Sequence, residues 1–456
     1  MYRERPHRAR LASGETQQDQ GSSKLAVAQY VRHPYARNII VLTFLILVLR
    51  QTMAAPLRAF APFMWYVPDL LAAVAVLSCI YIGLYKKIVP MIVFFLFFGL
   101  FFMLSLLQNP LDSVALSTRQ VAYLGIAVLA GYIGQQGRQF VVSALAGMAV
   151  IGIIGVAYDY FFVVPWRGMM FSGALATKAV AREWWSSGGQ RRLAGFGLSS
   201  ADTSVVIACG IIFLSAATAA RARTFFYVLY APAVWAMLAT TQKATCAAFI
   251  FVTAIALATR FSLGGDRNGA KAGAIYKLIA VTAIIVSVLA PIALYKMNLG
   301  SLAAKAPTLN QRLNEVWPTV IDKLVSSPAA LWGYGFGSGA DTATIPAFQL
   351  VDNIFLFSVV NFGLVVTLII FYWACLSVVR LKIGDLEALG GMGVITLLAI
   401  NGITANVVAS GGLGSLLLGF AIGLVSRPVR NTKGAQRSRN VDLSRQPRPI
   451  PRSLAR

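Results

Sequence analysis

Long apolar runs recur along almost the whole chain, and each is continuous instead of alternating with polar residues. A run of about 18 or more apolar residues is long enough to cross a hydrocarbon core of about 30 Å as a helix. Only helices and closed barrels satisfy every backbone hydrogen bond in lipid, and the strands of a barrel alternate. The pattern therefore predicts an all-α fold, a polytopic membrane helix bundle.

Hydropathy predicts about twelve membrane spans. They lie at residues 38–56, 63–85, 88–107, 119–136, 139–164, 200–220, 224–240, 243–260, 275–296, 352–379, 387–405 and 408–426. The end of the first span, near Pro56, and the division of the pair around Thr240 are the least defined. Two long connections remain, at about 165–199 and 298–351. Connections longer than about 15 residues usually carry function or are disordered; these contain Trp, Gly and charged residues, so we expect ordered, functional loops.

Basic residues are concentrated at the two ends of the chain and in the short connections that share a side with them. These connections carry Lys86, Lys87, Arg138, Arg221, Arg223, the segment 260–277, Arg380 and Lys382. The positive-inside rule then predicts cytoplasmic termini and two long extracytoplasmic loops. Residues 1–37 form a basic tail without an early cleavable signal, and residues 427–456 form an Arg-rich tail predicted to be disordered. The membrane domain occupies residues 38–426.

Composition agrees with a membrane protein, because 57% of the residues are hydrophobic and only 12% are charged. The net charge of +24 is distributed as topology-setting charge, so no nucleic-acid partner is expected. Both histidines, His7 and His33, lie in the N-terminal tail, which excludes a histidine-based site in the bundle. Neither a metal nor a cofactor is predicted, since the cysteines are scattered through apolar runs without metal-ligand spacing. They are Cys79, Cys209, Cys246 and Cys375.

Four basic residues stand on the side where the positive-inside rule disfavours them: Arg191, Arg192, Lys243 and Arg312. An anionic ligand at the outer leaflet would explain them, because Arg binds phosphate through two hydrogen bonds and Lys acts as a point charge. Taken singly, each can equally be an exception that snorkels to lipid headgroups. Taken together, the four favour a shared anion site.

The second long loop ends in alternating glycines, among them Gly335 and Gly337, and Asp352 follows at the border of the next span. Alternating glycines let backbone N–H groups approach an anion, and they are equally suited to a tight turn back into the membrane. An ionisable group at the membrane border is a functional hypothesis, here a general base on a sugar hydroxyl. The alternative for Asp352 is a helix N-cap.

Other side chains are weaker candidates. Asp202 begins a span soon after the arginine pair, so capping or pairing with Arg is expected. Trp184 and Trp185 would stack on sugar rings or belong to the interfacial aromatic belt. Asp69 and Asp159 lie within or beside spans, and Glu183 and Glu315 are possible outer acids that nothing specific promotes.

The order of these features resembles the O-antigen ligase and polymerase family of bacterial membrane glycosyltransferases. The segments that carry the resemblance are residues 191–197, residues 241–244, residues 312–317 with Pro328 and the glycine run, and residues 352–356. In that order, the first looks like the family's segment of Arg followed by Gly, and the second stands where members have Ser-Arg at the start of a membrane span. The third looks like the Arg…Trp…Pro…Gly-x-Gly-x-Gly stretch of the large external loop, and the fourth looks like the His-Asn motif. The resemblance covers about residues 190–380.

The resemblance implies lipid-linked sugar chemistry on the periplasmic face of the bacterial inner membrane. Members transfer a glycan from undecaprenyl diphosphate to a hydroxyl acceptor without a metal, by direct displacement with inversion. Arg192 and Arg312 would stabilise the diphosphate leaving group, and Asp352 would be the base. The implied substrate-binding residues are Arg191, Lys243, Asn353, Trp317, Gly335 and Gly337.

Two departures from the family pattern change the expected reaction. Gln242-Lys243 stands where members have Ser-Arg, which weakens bidentate diphosphate binding there, and Asp352 stands where they have His. The second change favours a polymerase that joins lipid-linked repeat units of an exopolysaccharide or O-antigen over a ligase that transfers glycan to lipid A-core. A flippase or other transporter of lipid-linked oligosaccharide is a further alternative, but the spans carry few mid-membrane charges. Expected partners are the lipid-linked donor and acceptor, membrane lipids and other polysaccharide export proteins.

Overall fold

The helices of the chain form one bundle with two folded connections. The computed structural model describes residues 34–85, 89–132, 135–172, 177–182, 184–185, 189–217, 220–262, 266–295, 297, 307–339, 348, 351–381, 385–405 and 412–426. Apart from two pairs of short strands, the regular structure in these ranges is helical, so the all-α class is confirmed. Glu183, most of the N-terminal tail and the whole C-terminal tail lie outside the described residues, and so do the predictions made for them.

The first part of the chain contains α1 (Pro34–Thr52), α2 (Ala54–Phe60), α3 (Val67–Tyr85), α4 (Val89–Gln108), α5 (Leu111–Tyr132), α6 (Gln135–Phe161) and α7 (Ser200–Ser215). Between α6 and α7, β1 (Met170–Ser172) pairs antiparallel with β2 (Thr177–Ala179), and β3 (Trp184–Trp185) with β4 (Arg191–Arg192). Three long helices follow: α8 (Ala220–Ala239), α9 (Lys243–Ser262) and α10 (Asp266–Ala293).

The second long connection contains α11 (Pro307–Gln311), a π-helical turn (Arg312–Val316), α12 (Trp317–Val325) and α13 (Ala329–Trp332). The last three long elements are α14 (Ile354–Arg380), α15 (Leu386–Thr404) and α16 (Leu413–Val425).

Eight of the described helices are long and apolar enough to cross a membrane, or nine if the bent pair α1–α2 is one span. Shorter apolar helices are Phe98–Gln108, Ser200–Ser215 and Leu413–Val425. The protein is therefore a multi-pass membrane protein, and the count of twelve spans stays a prediction.

Two helix ends differ from the predicted span boundaries. The helix α1 ends at Thr52, where the chain bends by 81° into α2, close to the interruption predicted near Pro56. α5 begins at Leu111, eight residues before its predicted start at 119, because Ser113 and Ser117 are buried against protein instead of facing lipid. Hydropathy counts such buried polar residues as evidence against a span, although their environment is the interior of the bundle.

The centre of the bundle is formed by α7, α15 and α16, whose residues are almost all buried. A helix that is surrounded on all sides is apolar all round, as these are. One polar pair links this centre to a neighbouring helix. Asn401 of α15 exchanges hydrogen bonds with Thr245 of α9, with N–O and O–O distances of 3.0 and 3.1 Å. This pair joins two helices near the end of the bundle that carries the long connections.

The described parts of both long connections pack on the same end of the bundle, which we call the loop end. In the first connection, the carbonyl of Phe196 accepts a hydrogen bond from Ala55 N–H of α2 at 2.9 Å. In the second, the carbonyl of Tyr334 accepts from Asn109 Nδ2, between α4 and α5, at 2.9 Å. The candidate residues of both connections are therefore attached to helix ends of the bundle.

Candidate functional site

Asp352 is held by two donors from the second connection. Its Oδ2 accepts a hydrogen bond from Nε of Arg312, and its Oδ1 accepts one from the indole Nε1 of Trp317 at 3.2 Å. The side chains of Arg312 and Asp352 are 23% and 28% exposed, whereas Trp317 is fully buried. A carboxylate can accept about four hydrogen bonds, so Asp352 retains capacity for a hydroxyl donor. Of the trio, Arg312 and Asp352 can contact a substrate, and Trp317 supports them from within.

The π-helical turn explains why Arg312 and Trp317 reach one carboxylate. The N–H of Trp317 donates to the carbonyl of Arg312, which stacks these residues one above the other at the start of α12. Single π-helical turns are rare in proteins, and those that occur often lie at functional sites. The buried face of the segment anchors it against α14 through apolar side chains. These are Leu313, Trp317, Val320 and Leu324, packed with Phe355 and Val359.

Asn353, and not Asp352, is the N-cap of α14. Its Oδ1 accepts from two N–H groups of the first helical turn, at 2.9 and 3.0 Å. Its Nδ2 donates to the carbonyls of Gly402 and Ile403 at the end of α15, at 3.2 and 3.0 Å. The capping interpretation of Asp352 is therefore wrong, because its neighbour occupies the cap position. These contacts explain the buried Asn353 as a structural residue, and its substrate-binding role stays a prediction.

The glycine run is built into the bundle. Gly335 and Gly337 have φ angles of +86° and +94°, and a Cβ on either would lie 2.8 Å from Ser105 Oγ or 2.7 Å from the carbonyl carbon of Ser113. Two backbone N–H groups of the run already donate hydrogen bonds to side chains of the bundle. The N–H after Gly335 donates to Ser105 Oγ at 2.9 Å, and Gly337 N–H donates to Asn361 Oδ1 at 3.2 Å. Close packing thus accounts for both glycines, and their ligand-binding role stays a prediction.

The second connection is also anchored at a break in α14. Gly363 has a φ of +80°, which interrupts the helix, and α13 packs against this point. The N–H of Tyr334 donates to the carbonyl of Val360 at 2.8 Å. A carbonyl next to a helix break must find another donor in a dry environment. The connection therefore completes the helix that begins beside Asp352.

The two arginines of β4 differ in their partners. Arg191 Nη2 lies 2.7 Å from Asp159 Oδ1, and the other oxygen of Asp159 accepts from Gly195 N–H at 3.1 Å. The side chain of Asp159 is 1% exposed, so Arg191 neutralises a buried carboxylate. Arg192 makes no side-chain hydrogen bond or ion pair with the described residues, and its Nε is buried without a partner. The Nε of Arg191 is buried without a partner as well, so the two arginines differ in charge pairing: Arg191 is paired with Asp159, whereas the guanidinium of Arg192 has no carboxylate partner among the described residues.

The turn before α9 brings Lys243 to the same end of the bundle. Thr241 has a φ of +58°, Gln242 Nε2 donates to Ser200 Oγ at 3.1 Å, and Lys243 begins α9 with an exposed side chain. Gln242 thus supports the start of α7 and is not directed to an outer ligand. Two residues after Lys243, Thr245 of α9 donates to Asn401 near the end of α15, and Asn353 donates to the carbonyl of the next residue, Gly402. The structure therefore places Lys243 on a helix end near the Asp352 segment, without a direct contact.

A third basic cluster escaped the sequence analysis. Arg50 at the end of α1 is buried, and its guanidinium lies 2.9 Å from Asp69 Oδ2 and donates to Tyr123 Oη at 2.6 Å. An ionisable residue inside a predicted span is a functional hypothesis, and Arg50 stood inside the first one. That signal was present in the sequence, but the partners of Arg50 were not.

Within the described part of the chain, no three His, Cys, Asp or Glu residues are grouped so that they can hold a metal ion. No model of a known protein family matches the chain, and no curated protein matches it as a relative.

Proposed function

We propose that the protein is a polymerase of exopolysaccharide or O-antigen that joins undecaprenyl-diphosphate-linked repeat units on the periplasmic face of the bacterial inner membrane. The observation that carries the proposal is the accessible Arg312–Asp352 pair at the loop end, supported by the buried indole of Trp317. The resemblance to bacterial membrane glycosyltransferases names the reaction class. In this proposal the bundle has twelve spans, both termini are cytoplasmic and the loop end is periplasmic.

The proposed reaction is a direct displacement at the anomeric carbon of the donor glycan. Asp352 accepts the proton of the acceptor hydroxyl, whose oxygen bonds to the anomeric carbon as the bond from that carbon to the diphosphate oxygen breaks. Undecaprenyl diphosphate leaves with the electron pair, and the configuration inverts. Arg312 and Arg192 stabilise the charge that develops on the leaving group, since guanidinium groups match phosphate oxygens. Lys243 adds a further positive charge at the loop end.

Reconstitution tests the proposal directly. The purified protein in lipid vesicles, supplied with a defined undecaprenyl-diphosphate-linked repeat unit, is expected to make a ladder of longer chains on gels. Arg192→Ala, Arg312→Ala and Asp352→Ala should each abolish chain growth while the protein still inserts. Lys323→Ala is the matched control, because Lys323 is an exposed cation on α12 without contact to the trio.

The products distinguish the alternatives. Glycan transferred to lipid A-core, without long chains on the lipid diphosphate, would indicate a ligase. Movement of labelled lipid-linked oligosaccharide across the bilayer without any new glycosidic bond would indicate a transporter. Normal chain growth in all three variants would show that the site is assigned wrongly.

A further inference from the structure

The basic cluster around Arg50 lies at the loop end on helices that do not contribute to the Arg312–Asp352–Trp317 trio. Arg50 ends α1, Arg58 lies on the crosswise helix α2, and Arg119 lies on α5, around Asp69 at the start of α3. We call these four residues the arginine centre. The helix α2 is held beside the first connection, because Ala55 N–H donates to the carbonyl of Phe196 at 2.9 Å.

Aromatic rings pack against the guanidinium groups of the centre. The Arg58 Cζ atom lies 4.1 Å from the ring centroid of Trp65 and 5.3 Å from that of Phe171. The Cζ atom of Arg50 lies 4.7 Å from the Trp65 centroid. Stacking on aromatic faces leaves the edges of a guanidinium, where its N–H donors are, available for a planar or tetrahedral oxyanion. The centre therefore groups guanidinium donors beside aromatic rings.

The centre holds more positive charge than its carboxylates neutralise. Asp69 Oδ2 is shared between Arg50 at 2.9 Å and Arg119 at 3.7 Å. Arg58 makes no hydrogen bond or ion pair with the described residues, and its Nε is buried without a partner. The charges that act on Arg58 are those of Arg50, Arg119 and Arg182, opposed by Asp202.

An unpaired, half-buried guanidinium is costly unless an anion compensates it. Asp202 opposes the three arginines around Arg58 without forming an ion pair with it, and its Oδ2 also accepts from the Ser199 hydroxyl at 2.7 Å. The side chain of Arg119 remains 29% exposed, so the centre is accessible. Its composition of stacked guanidiniums with open edges is suited to phosphate oxygens.

We propose that Arg58 and Arg119 of the arginine centre bind the diphosphate of a second lipid-linked substrate, the acceptor. The inference rests on the proposed function, because a polymerase must hold two lipid diphosphates at once. The reacting hydroxyl of the acceptor lies on its terminal sugar, and a whole repeat unit separates that hydroxyl from the diphosphate. An acceptor diphosphate therefore needs a cationic site apart from Asp352, whereas the donor diphosphate reacts beside it.

Counting bound diphosphates tests the inference without any turnover. Radiolabelled farnesyl diphosphate is equilibrated with the full-length protein in detergent, with farnesol and inorganic pyrophosphate as competitors. We expect two sites in the wild type, one in Arg58→Gln/Arg119→Gln, and two in the control Lys323→Gln. Thermal unfolding checks that the double variant is folded, and Arg58→Lys should retain the second site with a Kd raised by less than tenfold. Competition by pyrophosphate but not farnesol would show that the diphosphate is recognised.

The outcomes separate this inference from the proposed function. Two sites of unchanged Kd in the folded double variant, or equal competition by farnesol, would overturn the arginine centre as a diphosphate site. If the double variant loses one site but the wild-type protein makes no chains, the arginine centre would be supported as a diphosphate site and the proposed polymerase function would be contradicted. If the double variant elongates chains in vesicles at the wild-type rate, the polymerase function would stand and the acceptor role of the arginine centre would be contradicted.

Discussion

The indole Nε1 of Trp317 donates a hydrogen bond to Oδ1 of Asp352 across 3.2 Å, and this bond joins the first residue of α12 to the residue before the cap of α14. Trp317 is fully buried, whereas Asp352 is partly exposed. The indole and the guanidinium of Arg312 each occupy one carboxylate oxygen. A side chain held at both oxygens has a defined orientation, which a general base requires.

Replacing Trp317 by phenylalanine should slow chain elongation. The Trp317→Phe change keeps an aromatic ring in the buried site and removes the N–H donor to Asp352. A hydrogen bond to a charged group contributes about 1.5–3 kcal/mol, so we expect kcat to fall by about tenfold or more, with the donor KM little changed. Initial rates in vesicles measure both. Trp332→Phe is the control, because Trp332 is 70% exposed. Equal rates in the two variants would contradict the positioning role.

Substitutions at Asp352 and Asn353 should have different effects, because Asp352 is proposed to act in the reaction and Asn353 stabilises the fold. Asp352→Asn is expected to abolish elongation and to leave the melting temperature nearly unchanged. Asn353→Ala removes the cap and two interhelical hydrogen bonds, so the free energy of unfolding should fall by about 1–3 kcal/mol. Thermal unfolding in detergent checks the second outcome. A strongly lowered melting temperature for Asp352→Asn would instead return Asp352 to a structural role.

The two neighbouring arginines of β4 should respond oppositely to the same substitution. Arg191→Gln leaves the buried carboxylate of Asp159 without its cation, which typically costs about 3–5 kcal/mol of stability. Arg192→Gln removes no ion pair among the described residues, so the fold should persist while elongation is lost. Melting temperature and chain length are measured on both variants. If Arg192→Gln melts lower than Arg191→Gln, the assignment of roles is reversed.

The orientation of the bundle can be tested with single cysteines. Lys323 on α12 and Arg223 on α8 have exposed side chains, and the proposed topology places Lys323 in the periplasm and Arg223 in the cytoplasm. In a background without the native cysteines, Lys323→Cys should react with a membrane-impermeant maleimide in intact spheroplasts. Arg223→Cys should react only after permeabilisation. The opposite labelling pattern would invert the predicted topology and exclude a periplasmic site.

Much of the candidate site was predictable because its residues conflict with local rules. Arg192 and Arg312 stand on the side that the positive-inside rule disfavours, and Asp352 stands at a membrane border. Asn353 could not be separated from Asp352 in this way, since both residues are good caps and only the backbone register at the start of α14 decides between them. The glycine run likewise fits a nest or a tight turn until its packing against Ser105 is known.

The amino-acid sequence by itself determined the class of the fold, an all-α membrane bundle, because continuous apolar runs have few other ways to satisfy their backbone in lipid. Only the tertiary structure decided which charges are paired. Arg50 meets Tyr123 across 73 positions of the chain, and Arg191 meets Asp159 across 32. Such pairs depend on how helices pack, a non-local property that hydropathy does not encode. The same packing leaves Arg58 and Arg192 without a hydrogen bond or ion pair among the described residues.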